Sequence, residues 1–345
     1  MTSAVRPRHV AAAALAALAV LLLTPPAAVA DPAGPTNWES VITSIEPDVG
    51  KIEVRSLGGD AFLQLIAAPG TQVVVPGYDG EELYLRYDAD GTVHLNRRTR
   101  THYQNEDRYG ADRSAIPANV GKDAPPDWAV VATGGAYAWH DHRIHWMSPQ
   151  SLPPAIDPAG GPQSMEWPEP IVLLVDGEEV LVHGELRWYP DTSPAPAGGA
   201  ALIACVAVLA LGWRKPALGI VAGVGAAALV AVAVALPANI WLPTGVQGQP
   251  LQLILPVVGL LALVAGHLTR NRSPFALAIA GAGGLTLVAW GLTQSQAITA
   301  PILPTGPEAL VRVAVGLAVG AGLAAAILGV RTVLTPQEIS ATAPD

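Results

Sequence analysis

One cysteine, Cys205, stands in 345 residues, and it lies inside an apolar run. That scarcity removes intrachain disulfides, CxxC redox pairs and thiolate zinc clusters, and with them a blue-copper site, which needs a cysteine beside its histidines. Charge is scarce too. Only 14% of residues are charged against 51% hydrophobic, a balance that puts part of the chain in a lipid bilayer. Acidic residues are missing from particular places: none precedes Asp31 and only Glu308, Glu338 and Asp345 follow residue 197, which leaves 25 of the 28 in the middle third. With 11 basic residues, that middle third carries a formal charge of about −14 and repels polyphosphate backbones, so nucleic acid is disfavoured as a partner. No G-x-S-x-G elbow, H-E-x-x-H helix or Gly-rich phosphate loop occurs.

What is present divides the chain in order. Arg6 and Arg8, the apolar run Val10 to Leu23, and Ala28-Val29-Ala30 before Asp31 predict a signal peptide over residues 1–30, cleaved after Ala30. An uncleaved anchor is the lesser reading, because the apolar run is short for a span. Residues 31–189 then alternate polar and apolar with turn punctuation, predicting an all-β extracytoplasmic domain, a sandwich or barrel. Strands are expected at 51–56, 61–67, 71–76, 82–87, 92–96, 128–132, 136–142, 171–175 and 179–188. Three hairpins are expected among them, turning at Asp88-Ala89-Asp90-Gly91, Thr133-Gly134-Gly135 and Asp176-Gly177. Between Asn96 and Asp127 the chain is polar and irregular, rich in Arg and Tyr, with the composition of either a recognition loop or a solvated crossing between sheets.

A Pro-rich linker, 190–196, leads to five apolar segments at 197–213, 217–236, 251–268, 275–292 and 309–334, each near the ~20 residues that cross a hydrocarbon core. With the β domain outside, Arg214-Lys215, Arg270, Arg272 and Arg331 fall on the inner side and the connections 237–250 and 293–308 hold no Lys or Arg, as the positive-inside rule requires. The expected location is the plasma membrane, multi-pass, with the large N-terminal domain extracytoplasmic and a cytoplasmic tail at 335–345. The two outer connections resemble each other, Trp241-Leu242-Pro243-Thr244-Gly245 against Ile302-Leu303-Pro304-Thr305-Gly306, so helices two and three read as a repeat of four and five. A sortase signal is rejected, since the residue between Pro and Thr is missing. No acidic residue lies within a span, which disfavours ion-coupled transport. The bundle is expected to anchor the domain, to pack with a membrane-protein partner, or to hold the domain near the bilayer.

The densest chemistry is His140-Asp141-His142-Arg143-Ile144-His145-Trp146-Met147. On an extended strand His140 and His142 share a face with Cβ atoms ~6–7 Å apart, close enough for two imidazoles to meet one metal. His145 has the opposite parity and joins them only if the chain bends near Arg143 and Ile144. His94, His102 or His183 could supply a third ligand, and Met147 a thioether. Nitrogen with thioether favours copper, and histidines with a carboxylate such as Asp141 suit zinc, nickel or copper(II). The competing reading has the tryptophans and Met147 packing the core while the histidines and Arg143 pair with carboxylates.

Tyr84-Leu85-Arg86-Tyr87, Asn96-Arg97-Arg98, Tyr103-Gln104-Asn105 and Trp139 through Met147 together resemble a group of actinobacterial envelope proteins of unknown function, over the exported domain; the resemblance implies location and organisation. A second resemblance is to periplasmic copper-resistance domains of the CopC type, small β-sandwiches. Asp31 rather than His opens the expected mature chain, so that family's usual N-terminal ligand is missing. The fold class expected is thus an all-β sandwich, Ig-like or CopC-like, followed by an all-α five-helix transmembrane bundle. The function expected is non-enzymatic binding of a ligand or partner by the outer domain, with copper or zinc at His140, His142, His145 and Met147. The alternatives are an envelope hydrolase using the same cluster, and a scaffold acting through its helices.

Overall fold

A computed structural model describes residues 32–80, 82–106, 108–109, 116–268, 273–304 and 306–334. The expected signal peptide and tail, and Arg270 and Arg272, lie outside the described residues.

Among the described residues, eleven strands form the N-terminal region: β1 Trp38–Glu46, β2 Ile52–Leu57, β3 Phe62–Ala67, β4 Val73–Pro76, β5 Leu83–Tyr87, β6 Val93–Asn96, β7 Trp128–Ala132, β8 Ala136–Trp139, β9 Gln163–Glu166, β10 Ile171–Val175 and β11 Glu178–Trp188. A short helix, α1 Arg100–Asn105, interrupts the polar segment between β6 and β7. All pairings are antiparallel. One sheet runs β1-β11-β10-β4-β5-β6-β7, with β9 also on β11, and the other runs β2-β3-β8. The longest strand shows why: β11 buries Val180, Val182, Gly184, Leu186 and Trp188 in strict alternation, giving it one apolar face. Both sheets contribute to a single apolar core, Val54, Leu63, Leu65 and Trp139 from the smaller, and Val73, Leu85, Leu173 and Val182 among others from the larger.

Two of the expected hairpins form. Asp176 and Gly177 both take positive φ, 50° and 87°, the type I′ geometry whose twist suits a two-residue loop, and Val175 pairs with Glu178 across it. The loop Asp88–Gly91 likewise joins paired β5 and β6. The third expectation is corrected: β7 and β8 belong to different sheets, so Thr133-Gly134-Gly135 carries the chain from one sheet to the other. Gly135 bridges the change, donating to the Gly91 carbonyl at 2.8 Å and accepting from the Ala67 amide at 2.8 Å.

The C-terminal region is a helix bundle: α2 Ala195–Gly212, α3 Pro216–Ala235, a short α4 Pro237–Ile240, α5 Pro250–Leu268, α6 Pro274–Thr293 and α7 Glu308–Leu334. Five of these, all but α4, are long and apolar enough to cross a membrane. Prolines mark their starts, where the missing amide costs no helical bond: Pro194 and Pro196, Pro216, Pro250, Pro274 and, just before α7, Pro307. The most enclosed is α7, 61% of its span buried against 22% for α2 and α5. Gly316 and Gly320 admit it to α2, since a Cβ at either would come within 2.1 Å of the Ala197 or Ala201 carbonyl oxygen.

The ends of the bundle are unlike. At one end Arg331 of α7 donates to the Trp213 carbonyl at 2.6 Å and lies over its ring at 4.2 Å. At the other the two connections between helices meet the strands. The Thr244 carbonyl accepts from the Ala138 amide at 2.9 Å, capping β8, the last strand of the small sheet. Ile302 exchanges two backbone bonds, 3.0 and 3.1 Å, with Thr36, just ahead of β1, the edge of the large sheet. Each copy of the repeated turn therefore covers the chain at or beside one sheet edge that would otherwise present unpaired amides.

Candidate functional site

The extended chain expected to run to His142 stops at Trp139, and the reason is Asp141. Its carboxylate is buried and takes four N–H groups: Trp139 Nε1 at 3.0 Å, the Arg143 amide at 3.1 Å, Arg143 Nε at 2.9 Å and Arg143 Nη2 at 2.7 Å. Accepting from the amide two residues on caps a 3-10 turn over His142–Ile144, which is the bend that His145 needed. Burial alone would push the Asp141 carboxyl up, but the Arg143 guanidinium and the other donors outweigh it and hold the group below the ordinary carboxylate range.

The turn brings the three imidazoles together. His145 stands edge-on to His142 with ring centroids 5.4 Å apart, and 6.4 Å from His140. Phe62 of β3 stacks on His140 at 4.5 Å, and Tyr78 stacks on His142 at 5.6 Å while its hydroxyl accepts from the His142 amide at 2.8 Å. The polar segment supplies the remaining walls. Tyr109 meets His145 edge-on at 6.0 Å, Asn105 of α1 accepts from the Tyr78 hydroxyl, and Arg108 makes a buried ion pair with Asp60. That segment is itself fixed: the buried Glu82 carboxylate takes the amides of Arg100 and Thr101 at 3.0 and 3.3 Å, and Thr99 caps α1. Two arginine–carboxylate pairs, Asp60–Arg108 and Asp141–Arg143, thus accompany the histidines, each pair neutral in sum.

Of the four residues of this stretch expected as ligands, the rings of His140 and His142 lie beside that of His145. Met147 does not sink into the cluster; it is 38% exposed, whereas His140 and His145 are 1% and 4% exposed. Of the histidines considered as a further ligand, His94 bonds Asp88 at 2.9 Å, His102 lies on α1 against Tyr103 and His183 lies in β11. Sequence reasoning missed Asp60, Phe62 and Tyr78, which lie 62 to 85 residues before the histidines in the chain and carry no local pattern.

His145 has a defined chemical state. Its Nδ1 lies 3.2 Å from the Trp146 carbonyl, which can only accept, so Nδ1 carries the proton and Nε2 the lone pair. Nε2 is buried and has no hydrogen-bond partner among the described residues. Burial first, then the charge of Arg108 and the neighbouring His142, push the ring down to about 3, so it is neutral at physiological pH. A neutral imidazole whose far nitrogen is oriented by a backbone carbonyl is the usual arrangement of a histidine ligand. Two imidazoles sharing a tetrahedral ion place their centroids ~5 Å apart, close to the His142–His145 separation and shorter than that of His140. As they stand, no three His, Cys, Asp or Glu side chains among the described residues are arranged to hold an ion. For acid–base work on an acyl group the site is poorly equipped: both Asp141 oxygens are committed to Arg143, and the half-buried Ser148 is bonded to Ser151 at 2.8 Å.

No protein-family profile, curated protein or solved structure matches the chain. The chemistry of the site therefore rests on its own geometry.

Proposed function

We propose that this is a non-enzymatic membrane protein of the cell envelope whose β domain, a two-sheet sandwich on the outer side of the bilayer, binds a divalent transition-metal ion, copper(II) or zinc. His142 and His145 are the first two ligands and His140 the third, moving toward His145 on binding. The observation that carries the reading is the buried Nε2 of His145, unprotonated and without a partner among the described residues, beside two further imidazoles. With Met147 at the surface the donor set is imidazole nitrogen, which suits copper(II) and zinc, and the affinity order favours copper. The outward placement is supported by Arg214, Lys215 and Arg331 lying at the bundle end away from the strands.

The test is metal uptake by the full chain in detergent. After dialysis against copper(II) or zinc and removal of loose ion, elemental analysis is expected to find about one ion per chain in wild type. His145→Ala and the triple alanine variant at 140, 142 and 145 are expected to hold none, while Met147→Ala behaves as wild type. A wild-type protein that retains no more of either metal than the triple variant would end the proposal.

A further inference from the structure

Among the described residues, two chains of contacts lead from the histidine cluster to the helix bundle by way of the repeated turns. The first route starts at His140, whose ring rests on Phe62. Phe62, Ala61 and Ala138 form a small buried core of their own, and Val246 of the first turn packs on it. Ala138 also bonds Thr244 in that turn. There is no slack at this seat: Gly245, at φ 94°, lies so close that a Cβ would stand 1.9 Å from the Ala138 carbonyl oxygen and 2.8 Å from the Tyr137 ring. The second route runs from Ile302 to Thr36 by two backbone bonds, from the Thr36 side chain to Asp60, and from Asp60 to Arg108, whose charge acts on His145.

The first turn also begins a helix. Pro243 and Val246 close it with a 3.0 Å backbone bond, the Gln249 side chain donates to the Ala33 carbonyl, and α5 opens at Pro250. α5 carries Pro256 within its length, which leaves one turn of the helix short of a backbone bond, and it is among the least enclosed helices of the bundle.

We propose that the protein is a sensor, in which metal occupancy of the histidine site is transmitted to α5 through the turn Pro243–Val246. This rests on the metal reading above. For His140 to join the other two ligands it must approach His145, and because its ring lies on Phe62 and its backbone is two residues from Ala138, that approach shifts the surface on which Gly245 and Val246 sit. By linkage, a displacement of the turn must change metal affinity by the same factor by which the metal changes the seating of the turn.

Hydrogen–deuterium exchange of the full chain in detergent, with chelator or with saturating copper(II), tests it, with bound copper counted in the same samples. Copper is expected to change exchange in peptides spanning 237–256. Gly245→Ala, which touches no ligand, is expected to shift copper affinity about tenfold. Gly306→Ala is the matched control: its φ is 119°, so the backbone strain is comparable, but nothing lies within 4 Å of the added methyl, and affinity stays at the wild-type value. If copper binds stoichiometrically while exchange over 237–256 stays the same, the sensor proposal is wrong and the metal site stands. Equal copper affinity in Gly245→Ala and wild type has the same meaning. If Gly245→Ala does not fold, the wild-type exchange comparison decides alone. If wild type binds no copper, both proposals fall.

Discussion

His145 shows how a single buried ring sets a pH dependence. Its ordinary value is 6.5 and burial, with Arg108 and His142 beside it, lowers it to about 3 in the folded chain. Below 6.5 the unfolded chain binds a proton that the folded chain refuses, so acidification favours unfolding. The loss of stability begins near pH 6.5, grows as pH falls, and is complete near pH 3, on the order of a few kcal/mol in all. Asp141 acts at lower pH, because its folded value is depressed below 3.8 and its contribution is lost only as pH falls through that range. His102 shares the upper window, being held down by burial and then by Arg97. With a chelator present, thermal unfolding of the β domain followed by near-UV circular dichroism should show the midpoint of wild type falling between pH 6.5 and 4. In His145→Gln the fall should be much shallower, with the His102 part remaining. Parallel curves for the two proteins would show that His145 is not kept neutral by the fold.

At the scale of elements, the strands that face one core in strict alternation were legible and those defined by distant partners were not. β11 is the clear case, and its one glycine explains a packing detail. Gly184 leaves room for the Trp167 ring, which a Cβ would meet at 2.3 Å, while Trp167 bonds the Gly184 carbonyl at 2.9 Å and its indole N–H donates to Ser40 of β1 at 3.0 Å. Gly184→Ala is therefore expected to cost about 1–3 kcal/mol by overpacking. A drop in the unfolding midpoint measures it, and because the clash is with the outer ring of the Trp167 indole, Gly184→Ala should cost less in a Trp167→Phe background. By contrast Thr133-Gly134-Gly135 has the residues of a hairpin turn, and both glycines do take positive φ, 91° and 76°. Whether such a turn folds two strands together or passes them to different sheets depends on Gly91 and Ala67, which lie tens of residues away. The same holds at the histidines. The need for a bend after Asp141 was readable from parity, but the bend's cause, a carboxylate saturated by Trp139 and Arg143, appears only when all three are buried together. β1, β9 and α1 lacked a strong enough local pattern to stand out, since each is positioned by partners, β11 for the strands and Glu82 for the helix.

For the whole molecule, the layout of spans was the most legible feature, because length, apolarity and flanking prolines act locally. The helices of the structure begin and end within two residues of the apolar runs. What the sequence held less openly is the work of the repeated turns, which read as a duplication of helix pairs and prove to be the seats of the β domain. That arrangement makes the topology testable with single cysteines, because Asp191, Pro307 and both turns lie at the strand end of the bundle and Lys215 lies at the end marked by Arg331 and Trp213. In a Cys205→Ser background, an impermeant maleimide added to intact cells is expected to label Asp191→Cys and Pro307→Cys, and to label Lys215→Cys only after the membrane is opened. By the positive-inside rule the arginines left at the Lys215 end favour the proposed orientation, and the reverse labelling pattern would put the histidine cluster in the cytosol. There a site of neutral imidazoles would face the cell's own metal buffering and not the exterior, and a sensor of external copper or zinc would have no access to its ion.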